Sequence, residues 1–322
     1  MTCASKRLEE WLASECGQPA EPAVQTCSDA IRRRHRYGVA AVLFYGSCLR
    51  KARHGGDVGE GVLDFYLLVD SYRQAYSSWW LRLVNSVLPP NVFYIEVPWQ
   101  DRLLRVKYAV ITTTAFVRAT SPRSFFLTLC CRFAQPVQVV YTRDEAARRQ
   151  VVAALRSAVV TVVQRAASLF TDRFTAAELW IGIIEESYRS EFRAEGLERA
   201  RLIYQTDRER YERLTPWALM LASVACSEPQ PGGGFALTEP PGLRRRLTAR
   251  LLCVSRRQAD RLATAARLIK AVFTFEGAQD YVLWKVKRHS SVSLSPTPFE
   301  RRHPLLSWPS LIWRLYRRGG FR

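Results

Sequence analysis

The chain has 322 residues, 48 Lys and Arg against 29 Asp and Glu, a formal net charge of +19 at pH 7, and 48% apolar residues. That length supports a sizeable core and more than one small domain, and 24% charged residues of both signs with no apolar run of about 18 exclude a disordered chain and a bilayer-spanning helix. The surplus of positive charge faces anions, whether nucleic acid, nucleotide phosphates or lipid headgroups.

Apolar periodicity predicts helices at about 5–15 and 24–35, then a buried strand at 39–44 that enters a tight turn at Tyr45-Gly46-Ser47. After a Gly-rich loop, 62–69 and 91–97 read as strands, with a Trp-rich helix at 72–88 between them that stops before Pro89-Pro90. Leu104, Val106, Tyr108 and Val110 alternate with polar or smaller residues, so 102–112 is a strand with one buried face, and 137–141 is the last strand. From Asp144 the spacing becomes helical over about 144–170, 175–188, 197–225, 243–253 and 255–275, with a Pro/Gly-rich surface loop at 227–242. The expected domains are 1–143, 144–284 and a basic tail, 285–322, with nine Lys and Arg and a single acid, Glu300. In that tail Trp308, Leu311, Ile312 and Leu315 fall on one helical face and Arg314, Arg317 and Arg318 on others, the profile of a helix lying on an anionic membrane.

Eight cysteines without a C-x-x-C pair point to a reduced cytoplasm, and Glu9, Glu10, Glu15 and Glu21 interrupt what a cleavable targeting segment would need. The four histidines form no catalytic or zinc constellation, and there is neither a Walker motif nor a serine-hydrolase elbow.

The most informative segment is Leu43-Phe44-Tyr45-Gly46-Ser47 followed by Leu63-Asp64-Phe65. An apolar strand ending in Gly-Ser, with a carboxylate on the next strand, is how nucleotidyltransferases of the polymerase-β type present their site. Gly46 lets the backbone approach a triphosphate, Ser47 and nearby N–H groups hold phosphate oxygens, and Asp64 holds Mg²⁺ at the α-phosphate. Taken alone, the same residues make an ordinary turn and a strand-edge carboxylate.

More of the chain resembles, in order, the mitochondrial-type phosphatidate cytidylyltransferase (translocator assembly and maintenance) family and its bacterial members. The matching pieces are Tyr45-Gly46-Ser47, Asp64-Phe65, Val106-Lys107-Tyr108-Ala109-Val110-Ile111-Thr112, Arg132 with Gln135-Pro136-Val137, Ser157-Ala158-Val159, and Ser187-Tyr188 followed by Glu191-Phe192-Arg193. The resemblance implies an α+β chain: a polymerase-β-like nucleotidyltransferase domain followed by a mostly helical, winged-helix-like domain. It also implies the reaction of CTP with phosphatidic acid to give CDP-diacylglycerol and pyrophosphate, with Mg²⁺, at the cytoplasmic face of the membrane and without nucleic acid. The expected site has Asp64, Lys107 and Ser47 as catalytic groups and Tyr45, Gly46, Ser47 and Lys107 around the nucleotide. Arg132, Tyr188 and Arg193 are expected on the substrate phosphate.

Each residue also has a plainer reading. Lys107 alternates like any solvent-facing strand residue, Arg132 suits a buried ion pair, and Glu191 suits pairing with a neighbouring arginine. One departure matters: polymerase-β-type sites carry Asp-x-Asp, and here the second position is Tyr66, which cannot replace a carboxylate at neutral pH. Glu96 is the best second metal ligand, with Asp57, Glu60 and Asp70 behind it, unless the phosphates complete the shell. The rival readings are transfer to another acceptor, a tRNA end or a protein hydroxyl, and a non-catalytic basic RNA-binding protein of the same fold.

Overall fold

The computed structural model describes residues 3–35, 37–191, 196–227, 234–239 and 242–274. Helix α1 (Cys3–Cys16) buries Leu8, Leu12 and Cys16, one residue per turn on one side, and α2 (Pro22–Arg34) starts on Pro22, whose missing N–H costs a first turn nothing. Five strands follow at the expected places: β1 (Val39–Tyr45), β2 (Val62–Val69), β3 (Asn91–Trp99), β4 (Arg102–Thr112) and β5 (Val137–Thr142). They form one mixed sheet in the order β3-β4-β2-β1-β5, parallel only between β2 and β4. Pro98 lies on β3, an edge strand, where a missing N–H breaks no ladder.

Both faces of this sheet are covered, and alternate residues of each strand go to different cores. Val42, Phe44, Phe65, Leu67, Val106 and Tyr108 pack with Val24, Cys27 and Ile31 of α2. On that side His35 is a core residue, its ring nitrogens 3.0 Å from Ala75 O and 3.1 Å from the Tyr108 hydroxyl. The opposite residues, Ala41, Leu43, Tyr66, Leu68, Ala109 and Ile111, share a core with α1 and the helices that follow the sheet.

Between strands the chain departs from expectation in instructive ways. Where a Gly-rich loop was expected, helix α3 (Ser47–Arg53) begins directly after Gly46. The helix expected at 72–88 is two, α4 (Tyr72–Ala75) and α5 (Trp79–Val87). The break buries Tyr76, whose hydroxyl accepts from Asn85, and Arg82 caps the freed carbonyls of Tyr76 and Ser77. Short helices α6 (Thr113–Ala119) and α7 (Thr128–Phe133) lead into β5.

The chain beyond Asp144 is mostly helical. Asp144 caps α8 (Glu145–Ala167) by accepting from Ala147 N–H, and Thr175 with Glu178 forms a capping box on α9 (Ala176–Ser190). Two helices, α10 (Gly196–Thr206) and α11 (Arg208–Leu221), replace one expected helix, with buried Asp207 at the join. Strands β6 (Arg173–Thr175) and β7 (Gly234–Ala236) pair antiparallel. Helix α12 (Leu243–Thr274) runs unbroken, because no Gly or Pro interrupts it. Its Asp260 is fully buried and accepts from Leu127 N–H (2.8 Å) and the Thr128 hydroxyl (2.7 Å), so one helix supplies the N-terminal cap of another more than a hundred residues away. No helix among the described residues is long and apolar enough to cross a membrane, and all eight thiols are free.

A buried ion pair ties the first helix to the later ones. Arg210 of α11 donates Nε to both oxygens of Glu15 (2.8 and 3.0 Å) and Nη1 to Ala134 O (2.8 Å), while Arg53 reaches Glu15 at 3.0 Å. Replacing Arg210 by Leu strands buried Glu15 with only Arg53, so the unfolding free energy should fall by about 3 kcal/mol. Arg213→Leu, which loses the exposed partner Glu209, should cost under about 1 kcal/mol. Urea denaturation of both variants checks this, and equal losses would refute it.

Candidate functional site

At the end of β1 the backbone of Gly46 takes φ +91° and ψ −157°, a region essentially closed to residues with a Cβ. The chain turns there beside β2, because Tyr45 pairs with Asp64. On the other side of β2, parallel pairing places Lys107 of β4 level with Asp64. Residues level with each other on neighbouring strands point to the same face, so carboxylate and ammonium meet: Lys107 Nζ lies 2.9 Å from Asp64 Oδ1. That oxygen makes no aligned hydrogen bond, and the pair stays partly open to solvent, at 34% and 21% side-chain exposure.

The facing wall is cationic. Arg132 of α7 donates Nη1 to the Tyr66 hydroxyl (3.1 Å) and Nη2 to Glu191, with its guanidinium carbon 5.6 Å from the centre of the Tyr45 ring. Burial opposes its charge, but Glu191 and the two tyrosines outweigh that and raise its pKa further. Burial also pushes the Tyr45 phenol up, so it is a neutral wall and no base. Together these residues line a cleft of about 530 Å³. Arg50 projects into it from α3, and Arg199, Arg267 and Lys270 close it from α10 and α12, so among the described residues six cations face two carboxylates, Asp64 and Glu191.

Several of these cations have neutral partners. Arg50 donates to the Gln135 side-chain oxygen (3.3 Å) and Arg267 to Pro89 O (3.0 Å). Lys270 donates to Leu88 O, Pro90 O (2.6 Å) and Asn91 Oδ1 (3.0 Å). Burial, with Arg267 nearby, brings its pKa down to about 8.

Of the residues singled out in the sequence, Tyr45, Gly46, Ser47, Asp64, Lys107, Arg132 and Tyr188 all line this cleft. Glu96 does not. It lies two register pairs beyond the Tyr94–Lys107 level on β3, opposite Arg105, where the Tyr94 hydroxyl donates to it (2.9 Å) and the Arg105 side chain is 4.0 Å away. Asp57 is tied to Gly59 N–H and Arg102, Glu60 to Lys51 and Asp70 to Arg143. Arg193 and the 285–322 tail lie outside the described residues. The sequence reading missed Arg50, Arg199, Arg267 and Lys270. Only Arg50 left a signal, one turn after Ser47; the others arrive from helices whose docking no local pattern reveals.

Among the described residues no group of three or more His, Cys, Asp or Glu could hold a metal ion. Among the described residues lining the cleft, Asp64 is the carboxylate beside Gly46 and Ser47, and Glu191 is engaged by Arg132. This donor set fits Mg²⁺ in its commonest protein mode, in which one or two carboxylates share the ion with substrate phosphates and water.

No family model matches the chain, and no curated protein does either. A nucleotidyltransferase-like protein from Exiguobacterium sibiricum 255-15 aligns with 92% of this chain and 91% of its own, at 10% identity and a TM-score of 0.25. A likeness that slight carries neither fold nor activity across, so the reading of the cleft rests on its own residues.

Two expectations follow from this geometry. An alanine Cβ at position 46 would sit in the forbidden region and 3.3 Å from Asp64 Oδ2. Gly46→Ala should therefore cost about 2–3 kcal/mol. Gly55→Ala, also at positive φ but with open space around it, should cost about 1 kcal/mol. Urea unfolding compares them, and a smaller loss at 46 than at 55 would be inconsistent with the crowding at Asp64.

Lys270 makes stability depend on pH. The folded chain releases this proton near pH 8 and the unfolded chain near 10.5, so between them the unfolded state binds more protons and stability rises with pH. The advantage of wild type over Lys270→Met should grow from pH 8 to 10.5. A difference flat across that window refutes the assignment.

Proposed function

We propose that this chain is a Mg²⁺-dependent nucleotidyltransferase that transfers CMP from CTP to phosphatidic acid, giving CDP-diacylglycerol and pyrophosphate. The observation that carries the reading is the meeting of Gly46, Ser47, Asp64 and Lys107 at one end of the sheet, in a cleft they share with Arg50, Arg132, Arg199 and Arg267. A cleft with so few acids among so many cations suits two polyanions held side by side, which this reaction requires.

In this proposal the triphosphate lies along Gly46 and Ser47, where a glycine leaves room for it and the Ser47 hydroxyl donates to a phosphate oxygen. Asp64 would hold Mg²⁺, which neutralises charge on the transferring phosphate. A phosphate oxygen of phosphatidic acid forms the new bond to the α-phosphorus of CTP. The bond from that phosphorus to the bridging oxygen breaks, and pyrophosphate leaves with the electron pair. Lys107 adds a point charge beside Asp64, and Arg132, fixed by Tyr66 and Glu191, offers a planar guanidinium to the incoming phosphate. Tyr66 in place of a second acid fits an arrangement in which the phosphates, rather than the protein, complete the ion's shell.

The winged-helix-like reading of the second domain is supported by the β6-α9-α10-α11-β7 order with β6 paired to β7. The 285–322 tail, outside the described residues, is proposed to dock the chain on anionic lipid at the cytoplasmic face of the membrane.

The test is transfer of label from radioactive CTP into the lipid phase with phosphatidic acid and Mg²⁺. Wild type should label lipid, and Asp64→Asn should be slower by at least about a hundredfold while still folded. Near-normal turnover in folded Asp64→Asn, or no lipid labelled by wild type, overturns the proposal.

A further inference from the structure

A second space, about 550 Å³ in volume, lies on the far side of α7 from the cleft. The same three helices wall both. At α7, Thr128 and Arg132 line the cleft while Cys131 and the preceding Leu127 line the second space; on α12, Thr264, Arg267, Lys270 and Thr274 border the cleft and Thr248, Leu252 and Arg256 the second space. Its lining is chiefly apolar, from Leu127, Val162, Leu179, Ile183 and Leu252, and it opens at Leu169 and Leu252, which are 37% and 39% exposed. An apolar trough of this size matches the dimensions of small-molecule sites.

Among the described residues, two arginines in this apolar wall pair with no carboxylate and each leaves a buried N–H without a hydrogen-bond partner. Arg165 gives Nη2 to Pro122 O and Ser124 O, but its Nη1 is buried with no hydrogen-bond partner. Arg256 lies 5.9 Å from the Phe125 ring centre, and its Nε is likewise buried and without a partner. The acids nearby are engaged: Glu186 takes both donors of Arg257 (2.7 and 2.6 Å), Asp260 caps α7, and Glu178 belongs to the capping box on α9. Burial and the charge of Arg256 both press against the charge on Arg165. Buried donors on like-charged groups are costly to leave unmet, and an anion between them would satisfy both.

We propose that this trough binds a single-chain amphiphile, its alkyl chain among the apolar side chains and its anionic headgroup at Arg165 and Arg256. The site is separate from the cleft and does not depend on what the cleft does.

Gly182 supplies the test. It lies on the trough's wall in α9, and a Cβ there would meet nothing within 4 Å. Gly182→Leu therefore starts its side chain in open space at the trough's wall, places bulk beside the apolar lining and improves the helix. Calorimetry with the full chain would compare dodecanoate, dodecyl phosphate, dodecanol and dodecyltrimethylammonium, each below its aggregation concentration. Both anions should bind saturably at one per chain, and the alcohol and the cation at least about tenfold more weakly. The two anions separate a carboxylate head from a phosphate head. Gly182→Leu should weaken the anions by about tenfold or more with its thermal midpoint unchanged or raised, and Arg256→Gln should weaken the anions but not the alcohol. The proposal is overturned by absent saturable binding, by equal binding of cation and anion, or by undiminished binding in a folded Gly182→Leu. Binding of CTP and Mg²⁺ to Gly182→Leu, measured alongside, reports on the cleft alone.

Discussion

Parallel pairing of β2 with β4 is the constraint on which the candidate site depends. It sets Asp64 level with Lys107, and the antiparallel pairing of β1 on the other side brings Tyr45 level with both. Because side chains alternate, Asp64 faces the cleft, Tyr66 two residues on meets Arg132, and Leu68 two further on joins the core beneath α8. A slip of one residue would turn Asp64 toward the core under α2 and Phe65 toward the cleft, so the burial of both faces fixes the register and the register fixes the chemistry.

Charge is handled differently at the cleft and away from it. Two buried charges that tie helices together meet an opposite charge or a set of donors: Arg210 meets Glu15, and Asp260 meets the N-terminus of α7. Such contacts add modest stability but make any other docking expensive, since one lost partner leaves a charge in a dry site. Around the cleft Lys107 and Arg132 meet Asp64 and Glu191, but three other cations are held by neutral groups instead. Lys270 is held by two carbonyls and an amide oxygen, Arg267 by one carbonyl and Arg50 by a glutamine. Carbonyls orient a cation without cancelling its charge, so the field of these side chains remains for a ligand to neutralise. The trough behind α7 follows the same logic, with Arg165 held by carbonyls of the 121–127 loop.

The five strands were legible because each is a short β-rich run that must be buried on one face or both, and burial leaves a local mark. Helix α8 was legible for the same reason, its start falling at Asp144, where the spacing turns helical. The breaks were not. The join between α4 and α5 exists because Tyr76 turns into the core and Arg82 caps what that exposes, a choice made by the packing partner and not by Ser77 or Ser78. The continuous α12 is the converse case, in which a helical sequence was divided where nothing divides it.

The sequence by itself determined the strands, the Gly-Ser turn and the isolated carboxylate at Asp64, since backbone freedom, side-chain period and charge are all properties of neighbours in the chain. It also determined that the chain would be rich in cations. Only the tertiary structure decided which cations meet: Lys107 reaches Asp64 through strand order, Arg132 reaches Tyr66 and Glu191 through the docking of α7 on α9, and Arg267 and Lys270 reach the cleft from the far end of a 32-residue helix. Those meetings depend on contacts between residues tens to hundreds of positions apart. No local period encodes them, because they follow from how whole faces are buried against one another.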